Sequence, residues 1–503
     1  MMQHLIVLPV VLPLVVGLLL LRSRHGAMRT HRTVGVAATA LLVAVAAVML
    51  ARAAGGEVTY YALGGWQPPF GIVLVLDRLS ALMVMVTAVL ALGCVIFACA
   101  GDDERGSNFH GLFQLQLMGI NGAFLTGDLF NLFVFFEVLL LASYALLIHG
   151  GGKSRIQSAV HYVVLNLVGS SLFLISVGVL YGATGTLNMA DMAVRLSALP
   201  AEREGLVIAG GLMLLVVFGL KAAILPLYFW LPRAYAAAPA PVAALFAIMT
   251  KVGIYAILRV YTLIFGEQAG GLEALERPWV WWLSLATMVV AGIGVLAARD
   301  LRLLVAYLVV ISVGTLLAGI GMGSPEAVSA LLYYLVHSTL VTGGLFLLAE
   351  MIGLQRGKAS TRLVKGRPLR DGRRLAGLFF VGAVAVAGLP PLSGALGKAL
   401  LMDAAVSWQQ PWLWPVLLGT GLAALVALSR AGSTLFWRSH DGEAGGEALT
   451  RARWLGAGGL LAASPLLVAL AGPVSDYTRA TADQLADPDV LVRAVLSDAG
   501  ESP

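Results

Sequence analysis

Fourteen apolar stretches, each roughly 20 residues long, follow one another along this 503-residue chain. A helix needs about 20 apolar residues to cross the hydrocarbon core of a bilayer. Only 12% of the residues are charged, against roughly 25% in soluble domains, so a soluble globule of this size could not cover its surface. The sequence therefore predicts an all-α polytopic membrane protein of about 14 transmembrane helices, at residues 4–21, 33–51, 79–99, 110–127, 128–148, 158–181, 206–230, 240–265, 279–298, 301–322, 326–350, 375–402, 411–437 and 454–472.

The positions of the positive charges predict how these helices are oriented. The loops after the odd-numbered helices contain 21 of the 33 Lys and Arg residues, whereas the other loops and the C-terminal tail contain 7. Cytoplasmic loops of membrane proteins carry the excess of Lys and Arg, so both termini are predicted to lie outside. The formal net charge of +6 is therefore explained by topology, and no nucleic-acid partner is expected.

Motifs for soluble catalysis, nucleotide-driven pumping or metal binding are absent from the sequence. It contains no P-loop, no H-E-x-x-H, no C-x-x-C and no G-x-S-x-G. Cys94 and Cys99 lie in one apolar stretch and are interpreted as core thiols rather than as metal ligands or a disulfide. No cofactor and no bound metal are expected, so the chain must use an ion gradient or energy passed on by a partner.

Two apolar stretches are interrupted by proline, and each carries one lysine. The seventh reads LVVFGLKAAILPLYFWLP, with Lys221 and Pro226, and the twelfth reads FFVGAVAVAGLPPLSGALGKALL, with Lys398. Proline has no N–H to donate, so carbonyls one turn earlier are freed, among them those of Val386 and Ala387. Broken helices in corresponding halves of a transporter point to its site. Ordinary packing kinks are the alternative.

Four ionisable residues lie inside apolar stretches rather than at their ends: Glu137, Lys221, Lys251 and Lys398. A central Lys or Asp that faces lipid costs about 2.5–3.5 kcal/mol. These residues must therefore turn inward, pair, or line a hydrated cavity. Proton or ion translocation is the favoured interpretation, because a lysine held partly unprotonated can load and release protons. A buried Glu–Lys pair that fixes helix register is the structural alternative.

The remaining polar residues in apolar stretches have weaker assignments. His337, in the eleventh stretch, is either a packed, hydrogen-bonded histidine or a member of a proton relay. His161 and Asn166 are assigned to helix packing, and Arg259 and Arg430 to snorkelling or capping.

Two loops have predictable character. After the second stretch, Gly-Gly and Pro-Pro turn signals with β-prone residues between them predict a short external hairpin or cap. The basic loop at about 351–374 is predicted to be a surface helix or an ordered loop that lies on lipid headgroups.

Three long segments resemble a known family: YALGGWQPPFGIVLVLDRLSALM, GINGAFLTGDLFNLFVFFEVLLLASYALL and YYLVHSTLVTGGLFLLAE. Over nearly its whole length the chain is similar to the antiporter-like subunits of respiratory complex I, membrane-bound hydrogenases and multisubunit Mrp-type (Pha-type) monovalent cation/proton antiporters. The segments look most like the D subunit of the Mrp type. Subunits of complex I usually carry a lysine where this chain has Val341, which also favours the Mrp type.

The resemblance implies two inverted five-helix repeats, with broken helices 7 and 12. It divides a single transmembrane domain, residues 1–503, into helices 1–3 (1–109), a first repeat of helices 4–8 (110–265), a second repeat of helices 9–13 (279–437), helix 14 (454–472) and an external tail (473–503).

The resemblance also implies roles for five residues in proton translocation. Glu137 matches a helix 5 glutamate that pairs with the helix 7 lysine, here Lys221. Lys251 matches the relay lysine of helix 8. His337 matches the helix 11 histidine that links two half-channels, and Lys398 matches a helix 12 residue near one exit.

The implied function is that of a secondary-transporter subunit rather than an enzyme. Its partners would be the other subunits of an Mrp/Pha antiporter complex, membrane lipid, H⁺, and Na⁺ or K⁺, in a bacterial inner membrane. One alternative is a proton-pumping subunit of an NADH-quinone oxidoreductase or a membrane-bound hydrogenase. The other is a purely structural membrane subunit. The sequence leaves open which cation moves and whether it passes through this subunit.

Overall fold

A computed structural model describes residues 3–23, 28–407, 410–440 and 444–496. These residues form helices and one short β-hairpin, of strands β1 (Thr59–Ala62) and β2 (Val73–Leu76). The α-helices are α1 (Leu8–Arg22), α2 (Met28–Ala53), α3 (Arg78–Ala98), α4 (Phe109–Leu125), α5 (Leu129–Leu147), α6 (Lys153–Thr184), α7 (Met189–Ser197), α8 (Ala201–Ala222), α9 (Trp230–Ala237), α10 (Ala240–Leu263), α11 (Arg277–Ala297), α12 (Leu301–Met322), α13 (Pro325–Arg356), α14 (Gly372–Ala387), α15 (Ser393–Ser407), α16 (Leu413–Gly432), α17 (Arg451–Ala469), α18 (Ala471–Ala486) and α19 (Pro488–Leu496).

The length of the helices agrees with a multi-pass membrane protein. Within the described ranges, eleven helical segments are long and apolar enough to cross a bilayer. The other three predicted crossings fall on α1, with 15 residues, on α4, with 17 residues, and on the broken pair α14–α15. The helical, multi-pass prediction is confirmed, and the exact number of fourteen crossings stays a prediction.

The turn signals after the second apolar stretch do form a hairpin. β1 and β2 pair in antiparallel register, with Thr59 opposite Leu76. The chain then enters α3 through a capping box, in which Ser80 N donates to Asp77 Oδ1 at 2.8 Å and Asp77 N donates to Ser80 Oγ at 2.9 Å. The hairpin therefore places Asp77 at the end of the helix bundle.

α10 and α13 form the centre of the bundle. The most apolar 18 residues of each helix are buried throughout. α10 packs against α3, α8 and α13, and α13 also packs against α12, α15, α17 and α18. Polar side chains on these two helices therefore face protein rather than lipid, which is where ionisable groups inside membranes are tolerated.

Both proline-interrupted stretches are broken, as predicted. α8 ends at Ala222, Ala223 adopts a positive φ of 67°, and a 3-10 turn at Leu227–Phe229 leads into α9. α14 ends at Ala387 and is followed by Gly388 at φ 81° before α15 begins at Ser393. The missing N–H groups of the prolines explain why neither helix continues.

The region predicted as a tail contains helices. α18 and α19 cover much of residues 473–496, while residues 497–503 lie outside the described part. α18 packs along α13, and the hydroxyl groups of Ser329 and Thr478 are 3.2 Å apart. The sequence indicated no helix here because α18 alternates small, polar and charged residues.

A buried polar axis across the helix bundle

Glu137 and Lys221 do not form the direct ion pair that the resemblance implied. Ser170 Oγ donates a hydrogen bond to Glu137 Oε1, and Lys221 Nζ donates to Asn166 Oδ1 at 3.2 Å. Asn166 and Ser170 are one turn apart on α6, so each of the two charges is bound by a neutral side chain of the same helix. Asn166 is packed between α6 and α8, as predicted, and its bond to Lys221 is a contact that the sequence did not indicate.

Lys221 lies at the end of the first half of the broken helix and is 5% exposed. Its ammonium nitrogen is 5.8 Å from the centre of the Phe136 ring, within cation–π distance. Gly253 of α10 packs directly on this helix end, because a Cβ there would lie 2.5 Å from Ala222 N and 2.9 Å from Lys221 C. The backbone of α10 therefore packs directly against the end of α8 that carries Lys221.

Lys251 is fully buried on α10, two residues before that contact. Its Nζ donates to Ser312 Oγ on α12 at 3.2 Å. No described carboxylate forms an ion pair with it. Lys251 is therefore a buried amine held by a hydroxyl group, as its central position in an apolar stretch suggested.

Further polar side chains lie on α12 and α13, the helices of Ser312 and His337. Thr315 follows Ser312 by three residues on the same face of α12, and its hydroxyl donates to the Ile311 carbonyl at 2.9 Å. The ring of Tyr334 lies 5.6 Å from that of His337, between ring centres. Polar groups therefore follow one another from α10 to α13.

His337 joins three helices at the second break. Its Nδ1 and Ser393 Oγ on α15 share a hydrogen bond of 2.7 Å, and Ser393 Oγ is 2.8 Å from Ser464 Oγ on α17. Gly394 lies against it, since a Cβ there would be 2.8 Å from His337 Nε2 and would overlap the Ala385 carbonyl oxygen. His337 is therefore packed and hydrogen-bonded, the first of the two alternatives from the sequence, and its role in a proton relay stays a prediction.

Lys398 binds the carbonyls that the prolines free. Its Nζ donates to Ala387 O at 3.0 Å and to Val386 O at 3.2 Å, back across the break between α14 and α15. These two carbonyls were predicted from the sequence to lack their helical partners. The lysine of the second broken helix therefore replaces the missing N–H donors.

A buried ion pair that the sequence did not predict lies at the hairpin end of α10. Arg259 NH1 and NH2 donate to Asp77 Oδ2 and Oδ1 at 2.6 and 2.8 Å, and Arg259 Nε donates to Tyr255 Oη at 3.2 Å. Arg259 is 5% exposed, so its assignment as a snorkelling or capping residue was wrong. On α10, Lys251, Tyr255 and Arg259 are spaced four residues apart, which places them on one face of the helix. This spacing is the one signal in the sequence that could have indicated that they share a face.

Arg430 does cap a helix end, as predicted. One of its NH groups donates to the carbonyls of Leu296 and Ala298, at 2.8 and 3.1 Å, at the C-terminus of α11.

A second charged cluster lies between α3 and α4. Arg32 donates to both oxygens of Asp103, at 2.7 and 2.8 Å, and His110 Nε2 is 3.0 Å from Asp103 Oδ2. Burial alone would raise the pKa of Asp103, but the hydrogen bonds from Arg32 and His110 lower it to about 2. Cys99 lies within 4.8 Å of these groups, yet Arg32 already occupies both carboxylate oxygens, so the cluster is an ion-pair network.

A cavity of about 1370 Å³ lies between α6, α9 and α12. It reaches Tyr228, Phe229 and Trp230, which follow the break after α8. The indole of Trp230 donates to the Leu220 carbonyl at 3.1 Å, so the cavity wall touches the helical turn that holds Lys221. His161 is exposed on this wall rather than packed between helices.

The family model described as NADH:quinone oxidoreductase/Mrp antiporter, TM, matches residues 126–423, which include all five predicted site residues. The chain belongs to this family. The resemblance drawn from the three sequence segments is thereby confirmed, and so is the prediction of a multi-pass membrane protein.

Two relatives align with this member of the family over nearly its full length. It is 41% identical to the probable D subunit of a K(+)/H(+) antiporter from Rhizobium meliloti strain 1021, covering 99% of this chain and 98% of the relative. It is 36% identical to the D subunit of a Na(+)/H(+) antiporter from Bacillus subtilis strain 168, covering 99% and 100%. Its fold matches a chain in the structure of the Mrp complex from Dietzia sp. DQ12-45-1b with a TM-score of 0.88, at 27% identity, covering 99% and 100%.

Proposed function

We propose that this protein is the D subunit of a hetero-oligomeric Mrp-type antiporter that exports Na⁺ or K⁺ in exchange for entering protons. Full-length similarity to subunits named as K(+)/H(+) and Na(+)/H(+) antiporters supports the assignment. The other subunits of such a complex are its expected partners, and its role is transport rather than catalysis. Both termini face the outside of a bacterial inner membrane, as the distribution of Lys and Arg indicates.

One observation carries this proposal: the bundle holds three buried lysines and a histidine, each bound by a neutral group. The acceptors are the amide of Asn166, the hydroxyl of Ser312, the carbonyls after α14, and the hydroxyl of Ser393. A buried lysine with a carboxylate partner is held charged, whereas one bound only by neutral acceptors can lose its proton at modest cost. This arrangement suits a proton path better than a static set of ion pairs.

In the proposed mechanism, Glu137 and Lys221 alternate between the separated arrangement and a direct ion pair. Closing the pair holds the proton on Lys221, and opening it releases the proton towards Lys251, whose helix supports the Lys221 backbone through Gly253. The proton then follows the hydroxyl groups between α12 and α13 to His337 and reaches Lys398. Because each charge biases its neighbours, the sites titrate as a coupled set.

The domain organisation fits the same scheme. We assign helices 4–8, residues 110–265, and helices 9–13, residues 279–437, to two inverted repeats, each with one broken helix and one lysine beside the break. The cavity at the first break gives water access to the turn that holds Lys221. Only the proton path is placed in this chain, because a Na⁺ site needs several carboxylate or carbonyl oxygens and Glu137 is the single mid-span carboxylate of the sequence.

Inverted membrane vesicles test this function. The chain is expressed with its operon neighbours in a host that lacks its own antiporters, the vesicles are energised with ATP, and a fluorescent probe follows ΔpH while NaCl or KCl is added. We expect the cation to dissipate ΔpH with the wild type and not with Glu137→Gln, which still accepts the Ser170 hydrogen bond but cannot pair with Lys221. Normal exchange by Glu137→Gln would refute the proton path, and no cation response with either chain would favour a redox-driven pump.

A further inference from the structure

A pocket of about 370 Å³ lies in the loop that joins α13 to α14. None of the five predicted translocation residues lines the pocket. Six basic or imidazole side chains contribute to its wall: Arg356, Lys358, Arg362, Lys365, Arg367 and His440.

Arg356 organises the loop around this pocket. It is the last residue of α13, is 2% exposed, and donates hydrogen bonds to the carbonyls of Ser360, Arg362 and Val364. Its Nε is buried and has no hydrogen-bond partner among the described residues. Gly366 makes this packing possible, because a Cβ there would lie 3.0 Å from that Nε. The concave shape therefore depends on a fixed, buried cation.

No carboxylate among the described residues lines the pocket or forms an ion pair with it. Its wall includes no carboxylate, and none of its five Lys and Arg residues forms an ion pair with a described Asp or Glu. Two carboxylates of neighbouring segments have other partners: Asp371 accepts from Gln355 at 2.6 Å, and Asp300 accepts from Thr361 at 2.7 Å. Five like charges around one pocket repel one another unless an anion is bound.

The shape and the donors suit a phosphate group. Arg side chains present forked N–H donors that match phosphate oxygens, and Lys adds compact positive charge. The pocket follows directly on a membrane-spanning helix and precedes the next one, so it lies at the level of the lipid headgroups. Anionic lipid is therefore the nearest source of phosphate.

We propose that this pocket is a specific binding site for the phosphate group of an anionic phospholipid. The bound headgroup connects the end of α13, the helix of His337, to the start of α14, which leads to the second break. The site is independent of the proton path and of which cation the complex exports.

The test uses the purified complex in nanodiscs of phosphatidylcholine with or without phosphatidylglycerol, and native mass spectrometry counts the retained phosphatidylglycerol. Arg362→Gln with Lys365→Gln removes two exposed charges from the pocket. Arg373→Gln with Arg374→Gln removes two exposed charges from the first turn of α14, outside the pocket, and is the matched control. We expect the pocket variant to bind phosphatidylglycerol at least tenfold more weakly, since it loses two charge-assisted donors that line the pocket and face the phosphate oxygens. The control should bind normally.

Further arms identify the source of the anion. Displacement of the lipid by millimolar inorganic phosphate would support recognition of the phosphate group, whereas a pocket that binds inorganic phosphate but retains no phosphatidylglycerol would overturn the assignment to lipid. Equal losses in the pocket variant and in the control would overturn the proposal in favour of a diffuse positive surface. Asp441 and Glu443 are two acidic positions that follow His440 in the sequence, outside the described residues. Retention of phosphatidylglycerol only when both are neutralised, in Asp441→Asn with Glu443→Gln, would also overturn the proposal.

Discussion

Lys398 Nζ donates to the carbonyl of Ala387 at 3.0 Å, across the gap between two halves of one broken helix. The charged end of this side chain thus replaces backbone donors that Pro390 and Pro391 cannot supply. One residue serves both the integrity of the break and the proposed proton path, and the two contributions can be separated by substitution.

We predict that Lys398→Met and Lys398→Arg both reduce cation-dependent dissipation of ΔpH at least tenfold, for different reasons. Methionine leaves the two carbonyls without a donor, at a cost of about 1–3 kcal/mol each, so the Met variant should also unfold at lower temperature. Arginine still donates but does not release its proton, so the Arg variant should assemble normally. Wild-type transport by Lys398→Arg would show that only the hydrogen bonds matter.

Asn166→Asp should nearly abolish antiport while leaving the complex assembled. The substitution preserves shape and places a carboxylate where the amide oxygen lies, 3.2 Å from Lys221 Nζ, which favours the protonated lysine. The vesicle assay at several pH values measures the effect, with at least a tenfold loss expected near neutral pH. Ser171→Ala is the control on the same helix, because the Ser171 hydroxyl is exposed and bonds only the Leu167 carbonyl of α6. Equal activity of both variants would contradict the role of α6.

Gly253→Ala should lower both the stability and the activity of the complex. The added Cβ would meet backbone atoms of Ala222 and Lys221, which cannot rotate away, and overpacking of this kind costs roughly 1–3 kcal/mol. Gly178→Ala on α6 is the matched control, since nothing lies within 4 Å of a Cβ there. Thermal unfolding of the purified complex and the vesicle assay check the pair, and tolerance of both substitutions would rule out the close contact.

Glu276 predicts a pH dependence of stability at the N-terminus of α11. Burial raises the pKa of Glu276 from 4.5 to about 7, and its Oε2 has no hydrogen-bond partner among the described residues. A raised pKa in the folded state gives stability that is complete below pH 4.5 and is lost as the pH rises through 7. Glu276→Gln should therefore stabilise the complex at pH 8, by roughly 1–3 kcal/mol, and change little at pH 5. Glu273→Gln, at an exposed carboxylate of the same loop, is the control, and an equal shift at both pH values would contradict the argument.

The sequence predicted those parts of the site that depend on local rules. Proline chemistry located both breaks and the freed carbonyls of Val386 and Ala387, and the cost of charge in lipid singled out Lys221, Lys251 and Lys398. These inferences need only the covalent structure of the residue and the length of the apolar stretch, so they did not depend on how the helices pack.

The remaining features depend on which helix faces reach one another, and a single sequence does not contain that information. Asn166 and Ser170 are ordinary residues on an apolar helix, and only packing places them against Lys221 and Glu137. Nothing in the chain linked Arg259 to Asp77, which lies at the end of a distant hairpin. The family resemblance implied that Glu137 pairs with Lys221. It did not indicate that the two side chains bind separate neutral partners instead.

The neutral acceptors around the three buried lysines have an electrical consequence. Lys221 has Glu137 nearby, but no described carboxylate lies within ion-pair distance of Lys251 or Lys398, so protonation of either lysine adds a nearly uncompensated positive charge inside the bilayer. Moving one such charge through the whole membrane field is worth about 2.3 kcal/mol per 100 mV. On the proposed proton path, membrane voltage therefore acts directly on the occupancy of these lysines, and a change of voltage changes their protonation without any change in pH on either side.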